Sequence, residues 1–149
     1  SPCAPVVQLA GAHFRTGQAS LGLIEVRPGQ GFLLGNVGKV ELEPIENRDY
    51  RITRLGDKSD GAFTTPKSQS VLRGCARYVL GPSFYDALEA TGPLPEGEWD
   101  DVPAFQYLAD ETELIGHKLE GHHFDLGHQS GYLAAMNYLF ERDVIGNGA

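Results

Sequence analysis

The run Leu21-Gly22-Leu23-Ile24-Glu25-Val26 is short, almost continuously apolar and closed by Arg27-Pro28-Gly29. A segment of that length with no polar side suits a strand covered on both faces, and such strands belong to mostly parallel sheets with helices above and below. The residues ahead of it supply one covering helix. From Pro5 to Thr16 the apolar positions Val6, Leu9, Ala10 and His13-Phe14 recur at helical spacing, Pro5 suits the first turn, and Gly17 is the stop. Ser70 to Leu80 reads as a second strand of the buried type. Helix and buried strand together give an α/β class.

Between these strands the pattern changes to period two. Lys39 to Glu43 and Tyr50 to Leu55 alternate, and Glu46-Asn47-Arg48-Asp49 joins them as a β-hairpin. Gly29 to Gly38 is glycine-rich but fits neither a P-loop nor a dinucleotide fingerprint, so it reads as a flexible connection or hairpin tip. Ser59 to Ser68 is a polar loop. Gly81-Pro82 opens a short helix through Ala90, with Phe84, Ala87 and Leu88 on one side. Asp100 or Asp101 caps the next, whose apolar face is Val102, Phe105 and Leu108-Ala109, with Pro103 tolerable in its first turn. Glu113 to Leu119 is a strand. The last helix starts at Gly131 or Tyr132 and runs to Arg142, apolar at Leu133, Met136 and Leu139-Phe140, before a loose tail from Gly146 to Ala149.

No linker or repeat divides the 149 residues, which fit a single domain, 1–149. A net charge of −8 argues against non-specific nucleic-acid binding, because that relies on many cations neutralising phosphates. No apolar run approaches the ~20 residues of a membrane span, so no membrane partner is expected. Cys3 and Cys75 are too few for a dense disulfide framework; both read as reduced thiols in a cytoplasmic protein, Cys75 as a buried and inert one. The opening Ser1-Pro2-Cys3-Ala4-Pro5 has neither region of a signal peptide nor an initiator Met, as a trimmed chain would.

The chemistry concentrates in Gly121-His122-His123-Phe124-Asp125-Leu126-Gly127-His128-Gln129-Ser130-Gly131-Tyr132, which sets one carboxylate between a strand and a helix. Such a carboxylate can give Mg²⁺ a hard oxygen ligand while phosphates and water complete the octahedron; equally, an Asp beside a helix start can serve only as its cap. Other marks precede it in order: Leu55-Gly56-Asp57-Lys58, then Gly74-Cys75-Ala76-Arg77-Tyr78-Val79-Leu80, then Glu96-Gly97-Glu98.

That ordered set resembles the C-terminal half of the sugar-1-phosphate nucleotidyltransferases, most closely the UTP:glucose-1-phosphate uridylyltransferase group, whose pattern runs V-E-K-P, G-R-Y-V-L, G-G/D-E-I-Q-L-T-D-A, Y-D-x-G-x-x-x-G-Y. The resemblance implies the C-terminal part of a Rossmann-like nucleotide-diphospho-sugar transferase fold: a mixed sheet flanked by helices, with a β-hairpin. It further implies an enzyme joining a nucleoside triphosphate to a sugar 1-phosphate, most simply UTP to glucose 1-phosphate, with Mg²⁺. By the same resemblance Asp125 is the metal ligand and Lys58 contacts the sugar phosphate. Glu98, with Gly97 beside it, holds sugar hydroxyls; Trp99, the only Trp in the chain, is an aromatic that can stack on a sugar face, and Arg77 is a candidate for the substrate phosphate. Read without it, Lys58 is a solvated strand-end charge, Glu98 part of an acidic loop, Trp99 a rim or core residue, and Arg77 a paired cation.

The sequence departs from the family where Asp57-Lys58-Ser59, Ala76-Arg77-Tyr78 and Glu98-Trp99-Asp100-Asp101-Val102-Pro103-Ala104 stand for Glu-Lys-Pro, Gly-Arg-Tyr and Glu-Ile-Gln-Leu-Thr-Asp-Ala. The family's Gly-rich G-x-G-[ST]-R loop has no counterpart, so the chain reads as half an enzyme, inactive alone, associating with the N-terminal half or as a homodimer. The competing reading is a non-catalytic sugar-phosphate-binding or regulatory module derived from that half. His117, His122, His123 and His128 invite a zinc site, but their spacing spans strand, turn and helix start and does not imply convergence.

Overall fold

A computed structural model describes residues 3–30, 38–56, 68–112, 114–127 and 129–146. Residues 31–37 of the glycine-rich connection, the loop after Asp57 with Lys58, His128 and the last three residues lie outside the described residues. The elements in order are α1 (Pro5–Thr16), β1 (Ala19–Val26), β2 (Val40–Pro44), β3 (Asp49–Leu55), β4 (Val71–Val79), α2 (Ser83–Thr91), α3 (Asp101–Asp110), β5 (Leu114–Lys118) and α4 (Gln129–Gly146).

The five strands form one mixed sheet in the order β2-β3-β5-β1-β4. Only β1 and β5 run parallel; the β1–β4, β2–β3 and β3–β5 pairs are antiparallel, so the expectation of a mostly parallel sheet is corrected. The parallel pairing of β1 with β5 is possible because the chain between them is long and carries α2 and α3, whereas the polar turn at 46–48 permits a tight antiparallel return. At that turn Asn47 and Arg48 take φ of 50° and 71°, the pair of positive angles that matches a two-residue hairpin to strand twist.

β1 is buried at every position but Glu25, as its apolar run requires. On one face Ala19 and Leu21 pack with Ile52 and Leu114 against Ala87 of α2 and Ala104, Phe105 and Leu108 of α3. Phe105 meets Tyr78 and Phe84 with ring centroids 4.7 and 5.2 Å apart. The Asp100 side chain caps α3 by accepting the Val102 N–H at 3.1 Å. On the other face α1 seals the sheet through Leu9 and Ala12, both fully buried, and the Leu9 carbonyl accepts the buried Ser20 hydroxyl at 3.0 Å. Helices on both faces agree with the α/β expectation.

β4, read from sequence as a strand of the buried type, is instead a half-covered strand at the end of the sheet. Its Arg73 and Arg77 are the charged residues that an end strand carries to resist further pairing. The sheet curls far enough for Gly38, just ahead of β2, to exchange hydrogen bonds with Gly74 at 2.9 and 3.2 Å. α4 also departs from expectation. Leu133, Met136, Leu139 and Phe140 are each about half exposed or more, while Gly131 and Ala135 are buried and Tyr138 is half-buried. No helix among the described residues is long and apolar enough to cross a membrane.

A buried polar knot ties the layers together. Asp49 and His117 stand opposite each other in the β3–β5 register, with Asp49 Oδ1 2.5 Å from His117 Nδ1. The second oxygen, Oδ2, accepts from Arg15 of α1 at 2.8 Å. Both Asp49 and His117 are more than nine-tenths buried, so this carboxylate joins a helix and two strands with each of its oxygens used.

Candidate functional site

β5 ends at Lys118 opposite Leu23, β1 runs on in the same direction to Val26, and the residues that leave these carboxyl ends line an exposed cleft of about 1170 Å³. In open α/β sheets this is the edge at which ligands bind, because loops there are free of the sheet's own hydrogen bonding. Glu25, Arg27 and Gln30 come from the end of β1, Lys118 to Phe124 from the segment after β5, Arg48 from the hairpin turn, and Tyr138 and Arg142 from α4.

The segment after β5 is held from several sides. Leu119 N–H donates to the Leu23 carbonyl at 2.8 Å and Lys118 N–H to the Arg48 carbonyl at 2.9 Å. Gln8 of α1 accepts the Glu120 N–H at 2.8 Å and donates to its carbonyl at 3.2 Å. Arg48 also donates to the Glu120 carboxylate, and Lys118 lies 3.2 Å from Glu25. Beyond Gly121, whose φ of 122° favours glycine, the Tyr138 ring lies 4.3 Å from that of His122 and 5.5 Å from that of Phe124. The Arg142 guanidinium sits 5.8 Å from the Tyr138 centroid.

Asp125 follows directly on Phe124 of the cleft wall. It is half-buried, and its Oδ1 accepts the Gly127 N–H at 2.8 Å, a turn that fixes the carboxylate four residues ahead of α4. A Cβ on Gly127 would lie 3.0 Å from that oxygen, so the glycine permits the close turn. Among the described residues no three His, Cys, Asp or Glu side chains converge as metal ligands.

The histidines diverge. His117 is in the buried knot with Asp49 and His122 is stacked on Tyr138. His123 is half-buried with its Nε2 buried and unpartnered; desolvation, then the neighbouring charges of His122 and Arg77, hold its pKa below the usual value. Arg77 lies on an irregular stretch of β4, where the register jumps from the Leu21–Tyr78 pair to the Leu23–Gly74 pair. Its guanidinium is exposed and donates to the Ala76 carbonyl at 2.6 Å. Gly97, Glu98 and Trp99 form an exposed turn closed by Leu94 N–H to the Glu98 carbonyl at 2.7 Å, and they do not line the cleft.

Asp125 is thus adjacent in sequence to the cleft-lining Phe124, and neither it, Arg77 nor the Glu98 turn lines the cleft wall. The structure adds Arg27, Arg48, Lys118, Tyr138 and Arg142, which no local motif marks. The signal that points to Arg27 and Lys118 is positional: each closes one strand of the pair that ends at the ligand-binding edge.

Cys75 makes a separate test. Its Sγ lies against the Gly22 carbonyl at 3.3 Å, and burial pushes the thiol up to about 11, with Arg77 opposing more weakly. At pH 8 iodoacetamide should alkylate exposed Cys3 and spare Cys75 until the chain unfolds, as mass spectrometry of the peptides would show. The raised pKa favours the folded state only while the thiol is protonated in both states. Above about pH 9 the unfolded thiol ionises and the folded one does not, so stability should fall by up to about 1.4 kcal/mol per pH unit towards pH 11. Cys75→Ala should remove that slope.

No family model matches the chain. It is 28% identical to the UTP–glucose-1-phosphate uridylyltransferase of Pseudomonas aeruginosa, over 70% of this chain and 41% of that protein. Its fold matches the crystal structure of apo UDP-glucose pyrophosphorylase with a TM-score of 0.71 at 20% identity, covering 93% of this chain and 48% of the other. A UDP-glucose pyrophosphorylase complexed with UDP-glucose matches with a TM-score of 0.68 at 21% identity, over 91% of this chain and 48% of the other. The chain spans less than half the length of the relatives it matches, an extent that fits a C-terminal half.

Proposed function

We propose that this chain is the sugar- and metal-binding half of a nucleotidyltransferase that makes an NDP-sugar, UDP-glucose in the simplest case, and pyrophosphate. A sugar 1-phosphate oxygen attacks the α-phosphorus of the nucleoside triphosphate, the bond from that phosphorus to the bridging oxygen breaks, and pyrophosphate leaves. Such chemistry depends on positioning and charge neutralisation more than on covalent work by side chains. The observation that carries the reading is the ordered turn that fixes the Asp125 carboxylate through the Gly127 N–H, next in sequence to Phe124, which lines the cleft at the carboxyl edge of β1 and β5. The similarity to uridylyltransferases supports it.

In this reading Asp125 would hold Mg²⁺, which would supply positive charge to neutralise the substrate phosphates. Lys58 contacts the sugar phosphate and Glu98 the sugar hydroxyls. The chain works with an N-terminal nucleotide-binding half, or as a homodimer, and is inactive alone. Calorimetric titration with glucose 1-phosphate and UDP-glucose, with and without Mg²⁺, tests it. Mg²⁺ should tighten UDP-glucose binding to the wild type and lose that effect in Asp125→Ala; identical behaviour of the two proteins would remove the metal assignment.

The exposed Glu98 turn, standing outside the cleft wall, favours the second reading of a non-catalytic sugar-phosphate-binding module. The two part on whether the chain, combined with a nucleotide-binding half, forms an NDP-sugar.

A further inference from the structure

The cleft has a charge balance opposite to that of the chain. The protein carries 12 Lys and Arg against 20 Asp and Glu, yet four of those cations and two of those anions line this one cleft. Both anions are already engaged: Glu25 with Lys118 at 3.2 Å, and Glu120 with Arg48. That leaves Arg27 and Arg142, neither of which has an ion-pair partner among the described residues.

Arg142 is not loosely held. Its guanidinium lies over the Tyr138 ring, and that ring is braced by His122 and Phe124. A guanidinium resting on an aromatic face keeps its N–H groups in its own plane, at its edges, where they match two oxygens of a phosphoryl group. Arg27 follows fully buried Val26, so its backbone is anchored by the end of β1. One arginine thus comes from the end of β1 and the other from α4, and both line the same opening.

We infer that Arg27 and Arg142 form an oxyanion clamp in this cleft, with Tyr138 as the platform of Arg142, and that its ligand is a phosphorylated species carrying two or more negative charges. The clamp deepens the nucleotidyltransferase reading, where it would grip the phosphates of the sugar nucleotide, but the two can fail separately. Arg27 and Arg142 contact the ligand directly; Tyr138 acts by positioning.

The test is calorimetric titration of the whole chain with inorganic phosphate, pyrophosphate and glucose 1-phosphate at fixed ionic strength. Pyrophosphate should bind the wild type saturably and bind Arg27→Ala and Arg142→Ala about tenfold or more weakly, the loss expected for one charge-assisted contact. Arg142→Lys should recover only part of that loss, because an ammonium keeps the charge without the fork. Tyr138→Leu should weaken binding with Arg142 still present. Arg54→Ala, an exposed cation on β3 outside the cleft wall, should bind as the wild type does. Thermal unfolding of each variant without ligand guards against misfolding.

Equal affinity across the arginine variants, an equal loss in Arg54→Ala, or no pyrophosphate binding by the wild type would each overturn the clamp. If pyrophosphate binds through the two arginines while neither glucose 1-phosphate nor UDP-glucose binds, the clamp stands and the nucleotidyltransferase reading falls. If UDP-glucose binds with the Mg²⁺ dependence set by Asp125 and is indifferent to both arginines, the reading stands and the clamp is removed.

Discussion

Asp49→Ala should lower folding stability by about 3 kcal/mol, since removing one partner of a buried pair strands the other. His117 would keep its place between strands with its Nδ1 facing a methyl group, and Arg15 would lose the anchor that holds α1 to β3. The Arg15 side chain is 44% exposed and can turn to water, so its share of the loss is small and the stranded imidazole sets the magnitude. Urea unfolding followed by circular dichroism should show a lower midpoint at unchanged slope. Asp49→Asn, which keeps an oxygen for one of the two partners, should lose less. A midpoint for Asp49→Ala within about 1 kcal/mol of the wild type would mean that the knot is dispensable.

Gly116→Ala should be the other large loss, about 2 kcal/mol, from overpacking at the centre of the sheet. A Cβ there would lie 2.5 Å from Leu23 Cδ1 and 2.9 Å from its Cγ, and Leu23 is fully buried. Cγ is too near the main chain to swing away, so strand or side chain must leave its minimum. The cause can be isolated by a double-mutant cycle. In a Leu23→Ala background the same Gly116→Ala change should be nearly neutral or favourable, giving a coupling of the opposite sign to the single loss. Additive effects of the two substitutions would rule out the steric account.

The local features of this chain were legible because they are decided by neighbours in sequence. Pro5 and Gly17 bound α1, the Asp100 side chain caps α3, and Asn47-Arg48 turns the hairpin, each through contacts within a few residues. The parts that were misread depend on partners far along the chain. Two apolar stripes run along α4, one through Leu133, Met136 and Leu139-Phe140 and one through Gly131, Ala135 and Tyr138. Periodicity favours the first because its side chains are larger, but the second faces the fold, where Tyr138 meets the rings of His122 and Phe124. Likewise Arg73 and Arg77 were the available sign that β4 would lie at the end of the sheet.

The candidate site divides in the same way. Asp125 was marked by its setting between strand and helix, and the structure holds its carboxylate in a turn with Gly127, just past the cleft-lining Phe124. His117 was grouped with three other histidines when its partner was Asp49, 68 residues earlier, because spacing along the chain carries no information about a cross-strand neighbour. Arg27 and Arg142 lie at opposite ends of the sequence. Only the parallel alignment of β1 and β5, with α4 returning past their ends, brings them to one opening.

The strand order has a consequence for how the sheet holds together. Among the described strands β5 comes last in sequence, yet it fills the slot between β3 and β1. Without residues 114–118 the sheet would be two ribbons, β1 with β4 and β2 with β3, held to each other among the described residues by the Gly38–Gly74 bridge and by the packing of Ile52 with Leu21 beneath α3. Each ribbon would then offer an open hydrogen-bonding edge to any other strand, that of a second copy included. The pentapeptide Leu-Ile-Gly-His-Lys covers both edges at once, so the continuity of the described sheet, and its resistance to pairing with foreign strands, depends on five residues.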